Sequence, residues 1–482
     1  MPIRRTTPLA IIAALLGASA LPAQAETLQE ALAAAYRDNP TLTAARAGQR
    51  ATDESFNIQK AAGLPDVGLS STYNEFAHGR PINPLSPSRS LTTLLSVDVP
   101  VYSGGRVRNA VAGARERIEA GQFDLRATEL SVFSQVVAAY MDVIRAQSVV
   151  ELSRNNVQVL EVNLRATNNR FQVGDLTRTD VAQSESRLSL ARADMQTAEA
   201  SLIEARERYI QLVGREPVDL QPPPPLPGLP TNPDEAVDIA LAENPDLAAA
   251  RNFRESTDYD VRVAKGQRLP TISAFASGQH YTDFASRDGF ANADDSGSVI
   301  VGARLTLPLY QGGRPGAQVR QSQAYQQQAI ETETAVERSV IAQTRSLYSS
   351  WQASNEVIAS SRVAVDASSL SLRGVRAENS VGTRTILDIL NAEQESFIAR
   401  VQLVTAERNA YVAAFSLLAA MGRISPADFG ITPEQIIDPS DNFERVKGKW
   451  FDWDDDATPA PISSRTVDSA AQNATVKASD TN

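Results

Sequence analysis

The chain has 482 residues, no cysteine, two histidines and a formal net charge of −11. Without thiols there can be no disulfide, no thiolate metal site and no lipid-modified N-terminal Cys, and the acidic balance disfavours a nucleic-acid surface. His78 and His280 read as isolated surface residues rather than a metal pair, so no metal or other cofactor is expected.

The chain opens with Arg4 and Arg5, then an apolar run from Leu9 to Ala20 that is too short to span a bilayer, then Ala23-Gln24-Ala25. Basic start, apolar core and A-x-A site in that order read as a signal peptide over residues 1–25, leaving Glu26 first; the competing reading is a buried N-terminal helix. Loss of Arg4 and Arg5 takes the charge from −11 to −13. No later apolar run is long enough for a transmembrane helix.

The remaining chain repeats itself once. Asn39-Pro40 and Ala45-Arg46 recur as Asn244-Pro245 and Ala250-Arg251, and Leu64-Pro65 as Leu269-Pro270, all shifted by 205 (244 − 39). Val99-Pro100-Val101-Tyr102 with Gly104-Gly105-Arg106 recurs as Leu307-Pro308-Leu309-Tyr310 with Gly312-Gly313-Arg314. Val173-Gly174 recurs as Val381-Gly382, Asp180 as Asp388 and Gly214 as Gly422, shifted by 208 (382 − 174). One supersecondary unit is therefore used twice. The first copy is residues 26–216 and the second 234–429. Between them, residues 217–233 carry Pro222-Pro223-Pro224-Pro225, an extended and semi-rigid linker. A tail, 430–482, follows.

Each unit begins with a helical pattern broken at its Asn-Pro pair. After Leu64-Pro65 the period changes to two: Val67, Leu69, Ser71 and Tyr73 alternate with other residues. Leu95, Val97, Val99 and Val101 oppose Ser96 and Asp98; Val299, Val301, Ala303, Leu305, Leu307 and Leu309 oppose Gly302, Arg304 and Thr306. Strands of about ten residues with one wet and one greasy face suit an outer-membrane barrel; a half-buried soluble sheet is the alternative. The segments Gly79–Ser88, with Pro81, Pro84 and Pro87, and Asp283–Gly297, with Asp288, Asp294 and Asp295, suit exposed loops. Four strands are too few to close a barrel, so the chain is expected to oligomerise, and three copies would supply twelve strands.

Long helical hairpins complete each unit. Val107 to Asn168 has no proline, and a helix of some sixty residues reaches about 90 Å. Leu130, Phe133, Val137, Tyr140 and Ile144 step by three and four, as do Leu390, Gln394, Phe397, Val401, Val404, Arg408, Tyr411, Phe415 and Leu418. Such narrow, partly polar seams suit helices that each pack on two neighbours around a wet centre, whereas a solid bundle would demand a wider apolar face. Val173-Gly174 and Val381-Gly382-Thr383 read as the helix–helix turns at the hairpin tips, with Gly in a left-handed cap. In the tail, Trp450-Phe451-Asp452-Trp453 reads as a docking patch or an inert sticky segment, and the small polar residues after it are expected to be disordered.

The paired Asn-Pro, Leu-Pro and Pro-x-Tyr-x-Gly-Gly-Arg marks, with VGTRTILDIL at the second tip, closely resemble the TolC family of outer-membrane factors, over the chain from about Thr27 to Phe429. The most specific stretch runs from Thr383 to Asp388. The resemblance implies an all-α coiled-coil tunnel with a β-barrel section. In it, each protomer gives four antiparallel strands to a trimeric twelve-stranded barrel and long helical hairpins to a periplasmic tunnel. It implies a homotrimer in outer-membrane lipid that docks with a periplasmic adaptor (membrane fusion protein) and an inner-membrane pump of ABC or RND type, for drug efflux or type I secretion. It also implies a latch at the tips: Arg384 toward Thr179 and Asp180, with Asn379 standing where the family has a tyrosine and making a weaker link to Asp180. Asp388 matches the first of two aspartate rings at the entrance, and the second position is the neutral Asn391. Asp388 is otherwise a solvated charge near the positive end of a helix. No Gly-rich phosphate loop, G-x-S-x-G elbow or His cluster supports an enzyme; a coiled-coil bridge without transport and a soluble periplasmic adaptor are the remaining alternatives.

Overall fold

The computed structural model describes residues 25–78, 89–284, 296–432 and 435–476. The expected signal peptide, except Ala25, and nearly all of the two proline- and aspartate-rich loop segments lie outside these residues.

The chain opens with α1 (Leu28–Asp38) and α2 (Pro40–Ala61). Asn39 both ends the first helix and caps the second: its Oδ1 accepts from the Thr41 N–H at 2.9 Å, and Pro40 sits where a missing N–H costs nothing. The hairpin β1 (Asp66–Glu75) and β2 (Arg89–Tyr102) follows, then the 67-residue α3 (Arg106–Gln172) and α4 (Arg178–Val213). The second copy runs α5 (Pro233–Glu243), α6 (Pro245–Gly266), β3 (Thr271–Asp283), β4 (Ser296–Thr306), a second 67-residue helix α7 (Arg314–Ser380) and α8 (Ile386–Ala420). A 3₁₀ turn (Pro426–Phe429) and the short α9 (Asp441–Val446) precede an extended tail.

The strands form one antiparallel sheet in the order β1-β2-β3-β4, so both copies contribute a hairpin and β1 and β4 are left as open edges. Val67 pairs with Val97, Leu95 with Gly278 and Phe275 with Gly302. Phe275 fills the space above Gly302, where a Cβ would lie 2.8 Å from its ring, and Arg304 stacks on that ring at 5.1 Å. Val67, Leu69, Val299, Val301 and Leu305 are exposed, an apolar face that water does not favour. β4 stops at Thr306, so Leu307 and Leu309, expected in the alternating row, lie beyond it. Thr306 lies opposite Thr271, the first residue of β3, so beyond it β4 has no partner strand.

The main core lies where α1, the middle of α3, the ends of α4 and α8, and the residues after α8 meet. Tyr36, Phe133, Tyr140, Tyr209 and Phe415 are buried there. Tyr140 Oη lies 2.9 Å and 2.7 Å from the Glu26 and Gln221 carbonyl oxygens and donates to them, so the proline-rich segment is stitched to the start of the first copy. α3 buries Val132, Val136 and Val143 there as well as the expected Leu130, Phe133, Val137 and Tyr140, because several elements surround it at this level. Away from the core the helices are one-sided. The buried stripe of α8 contains Ala392, Ser396, Ala399, Ala406, Ala410 and Ala414, small residues that let two helix backbones approach closely, while Phe397, Val401 and Val404 of the expected seam stay half exposed.

The last part of the tail is described up to Val476. This segment has no regular structure, yet α4 and α3 hold it: Arg206 donates to the Asn473 and Thr475 carbonyls, and Arg154 to the Ala474 carbonyl at 2.8 Å. Small polar residues have little apolar surface to bury, but their carbonyls are good acceptors for the half-buried Arg154 and Arg206.

Candidate functional site at the hairpin tips

Each hairpin turns on a glycine. Gly174 and Gly382 take φ of +82° and +83°, a left-handed conformation that costs any residue with a Cβ. At the first tip the Gly174 N–H donates to the Phe171 carbonyl at 3.0 Å and the Asp175 N–H to the Arg170 carbonyl at 2.9 Å. At the second, Gly382 donates to Asn379 and Thr383 to Glu378, both at 3.0 Å. These bonds satisfy carbonyls that a helix end leaves free. Val173 and Val381, just before the glycines, are exposed.

The outgoing helices start with the same device. Thr177 caps α4 and Thr385 caps α8; the Asp three residues on returns a carboxylate to the cap. Asp180 Oδ2 accepts from the Thr177 N–H at 2.9 Å and hydroxyl at 2.7 Å; Asp388 Oδ2 accepts from those of Thr385 at 2.9 Å and 2.8 Å. The Thr177 hydroxyl, followed by its N–H, holds the Asp180 carboxyl below the ordinary carboxylate range, and the Thr385 N–H, followed by its hydroxyl, does the same for Asp388. Both are carboxylates at neutral pH. Asp388 is thus both the helix-start charge of the plainer reading and a negative group at the end of the molecule.

The two tips pair their charges in opposite senses. Arg170 Nε binds Asp175 Oδ2 at 2.7 Å, whereas Arg384 Nε binds Glu378 Oε2 at 2.8 Å, which pushes the Arg384 guanidinium pKa further up. Within the chain Arg384 is therefore committed to its own tip. No hydrogen bond or ion pair joins it to Thr179 or Asp180 among the described residues; Thr179 is exposed and Asp180 caps α4. Asn379 likewise stays local: its Nδ2 donates to the Arg384 carbonyl at 2.7 Å instead of reaching Asp180. The physical reason is proximity along the chain, since Glu378 and Asn379 lie in the last turn of α7 and Arg384 follows only five or six residues later, just before α8.

The hairpins meet one turn further in. Arg187 Nη2 of α4 donates to Asn391 Oδ1 of α8 at 2.8 Å, so a guanidinium lies beside the neutral position of the expected second ring. Arg376 pairs with the largely buried Glu393 and ties α7 to α8. Glu378 and Arg187 were not among the expected site residues. Val173-Gly174 and Val381-Gly382 are the sequence feature that marks the tips, and the T-x-x-D capping boxes after them are a further local signal, but neither names these partners.

Residues 27–215 and 236–423 match the outer membrane efflux protein family. The chain is 34% identical over 443 residues to the outer membrane efflux protein BepC of Brucella suis, covering 91% of this chain and 95% of that one. It is 27% identical over 441 residues to the outer membrane protein TolC of Escherichia coli, covering 88% of each. The structure superposes on the CmeC outer membrane channel of Campylobacter jejuni with a TM-score of 0.73 at 16% identity, covering 87% of this chain and 89% of that one.

Proposed function

The chain belongs to the outer membrane efflux protein family, the TolC-type outer-membrane factors, and from that premise we propose that three copies enclose a gated export duct. It is an outer-membrane protein in which the strands contribute to a barrel and the long hairpins to a helical tunnel. One observation carries the trimer: a four-stranded sheet with open edges at β1 and β4 and an apolar face turned outward. In hydrocarbon, unpaired edge N–H and C=O groups cost several kcal/mol each, so the edges must pair with other copies, and three copies give twelve strands. The half-exposed Phe397, Val401 and Val404 on α8 are a second surface free to meet a neighbour. The tunnel end then docks with a periplasmic adaptor and an inner-membrane pump, and the pump sets the cargo.

The gate is placed at the tips. Arg384 and Glu378 sit on an exposed turn, where an ion pair is weak, so Arg384 is able to exchange Glu378 for Thr179 or Asp180 of a neighbouring hairpin in the closed assembly. Asp388 supplies a ring of carboxylates that favours cations, with Asn391 and its Arg187 partner limiting that preference. Planar-bilayer recordings test both parts. Arg384→Ser should raise single-channel conductance, and Asp388→Asn should shift the reversal potential away from cation selectivity. Unchanged conductance in the first and unchanged selectivity in the second would remove the latch and the ring respectively. A trimer that conducts in neither form would point to a structural bridge instead.

A further inference from the structure

The tail beyond the second copy is not used in the proposed duct. From Ile437, whose N–H donates to Tyr36 Oη at 3.1 Å, it climbs along α2. Asn442 Nδ2 donates to Asp53 Oδ2 at 2.7 Å, Asn57 Nδ2 to the Val446 carbonyl at 2.8 Å, and Lys60 Nζ to the Lys447 carbonyl at 3.3 Å. Phe443 packs edge-on against Phe56 at 5.3 Å. Positions 53, 57 and 60 are successive turns of one helix face, so the segment runs toward the C-terminal end of α2. That end adjoins the barrel, because α2 stops at Ala61 and β1 starts at Asp66.

There the tail reverses. Arg445 grips Asp456 through two contacts of 2.9 Å, and Lys449 Nζ lies 3.3 Å from Asp454 Oδ1 and 3.4 Å from Asp456 Oδ1, closing the base of a loop. The returning chain descends again, with Ser463 Oγ 3.0 Å from Thr43 Oγ1 and Gln472 donating its N–H to Glu207 at 3.1 Å. The apex of this pinned loop is Trp450-Phe451-Asp452-Trp453. Trp450 is 77%, Phe451 60% and Trp453 81% exposed.

We propose that this apex is a membrane anchor: Trp450, Phe451 and Trp453 enter the headgroup layer of the outer membrane's periplasmic leaflet beside the barrel. Three large apolar side chains held out on a short loop are costly in water. Trp is the side chain best suited to an interface, where its ring meets acyl chains and its N–H stays wet. Val446 and Lys447 lie against Asn57 and Lys60, so the apex follows within a few residues of the end of α2, which leads directly into β1 with its exposed Val67 and Leu69. The inference rests on the barrel lying in the outer membrane.

The chain has three tryptophans, so Trp351→Phe leaves Trp450 and Trp453 as the only indoles. The assembled full-length protein is placed in phosphatidylethanolamine–phosphatidylglycerol nanodiscs carrying bromine at shallow or deep acyl positions. The expected result is a loss of emission that is large with shallow bromines and small with deep ones. Emission that ignores both, with the indoles open to acrylamide, would overturn the anchor. So would indoles shielded from acrylamide equally in detergent and in nanodiscs without bromine quenching, which would assign them to a neighbouring copy. Val301→Trp, in a chain with all three tryptophans changed to Phe, is the control on the lipid-facing strand. Quenching there but not at the apex leaves the barrel in place and removes the anchor; quenching at neither removes both.

Discussion

Glu129, on α3 within the core, faces Arg46 with 3.6 Å between Oε1 and Nη2, too far for a close ion pair. Arg46 is otherwise engaged, donating to the Tyr36 carbonyl at 2.8 Å and lying 4.3 Å above the Tyr36 ring. Burial therefore dominates and pushes the Glu129 carboxyl up to about 7, with the Arg46 charge opposing it only in part. A carboxyl with a raised folded pKa keeps its proton where the unfolded chain has lost it. Stability from this group accordingly falls as pH rises from the ordinary carboxylate value to about 7 and levels off above. The size of the effect is on the order of 3 kcal/mol. Glu129→Gln should flatten the thermal-unfolding profile between pH 5 and 7, as read by circular dichroism; an unchanged slope would assign the pH dependence to other groups. The tip carboxylates behave in the opposite way. The pKa values of Asp180 and Asp388 are lowered, so their capping contribution is full above the ordinary carboxylate range and is lost only as pH falls through the lowered values.

At the scale of the element, the second tip is a local competition. Glu378 holds Arg384 inside its own turn, so removing Glu378 should free the guanidinium for a neighbouring hairpin. Glu378→Gln is therefore expected to lower conductance and antibiotic leak, the reverse of Arg384→Ser. Leak that rises in both variants would mean that Arg384 acts only within its turn. The same tip separates what the sequence could reveal from what it could not. Val-Gly before T-x-x-D locates the turn, because the left-handed glycine and the capping box are local requirements of a backbone reversing between two helices. Asn39-Pro40 marks the α1–α2 break for an equally local reason. The choice of Glu378 over Asp180 by Arg384 depends on which carboxylate the folded turn brings within reach, and spacing carries no such information. The width of the α3 core face was hidden in the same way, since Val136 and Val143 are buried by α1 and the other elements around α3, which a helix periodicity cannot show.

At the scale of the molecule, two copies of one unit give a protomer that is complete at its waist and unfinished at its ends. The waist is closed within the chain: Arg408 of α8 grips Asp142 of α3 through two contacts of 3.0 Å, joining the copies beside the buried aromatic residues. Above the waist the sheet has two free edges, and below it the helices expose half of their seams. In the trimer we propose, neighbours placed around one axis would meet both deficits and enclose water along it. The mass of the particle released from outer membranes by mild detergent, read by native mass spectrometry, tests this most directly. Three chains per particle are expected, while a stable particle of one chain would mean that the four-stranded sheet survives with its edges unpaired and that no tunnel is formed.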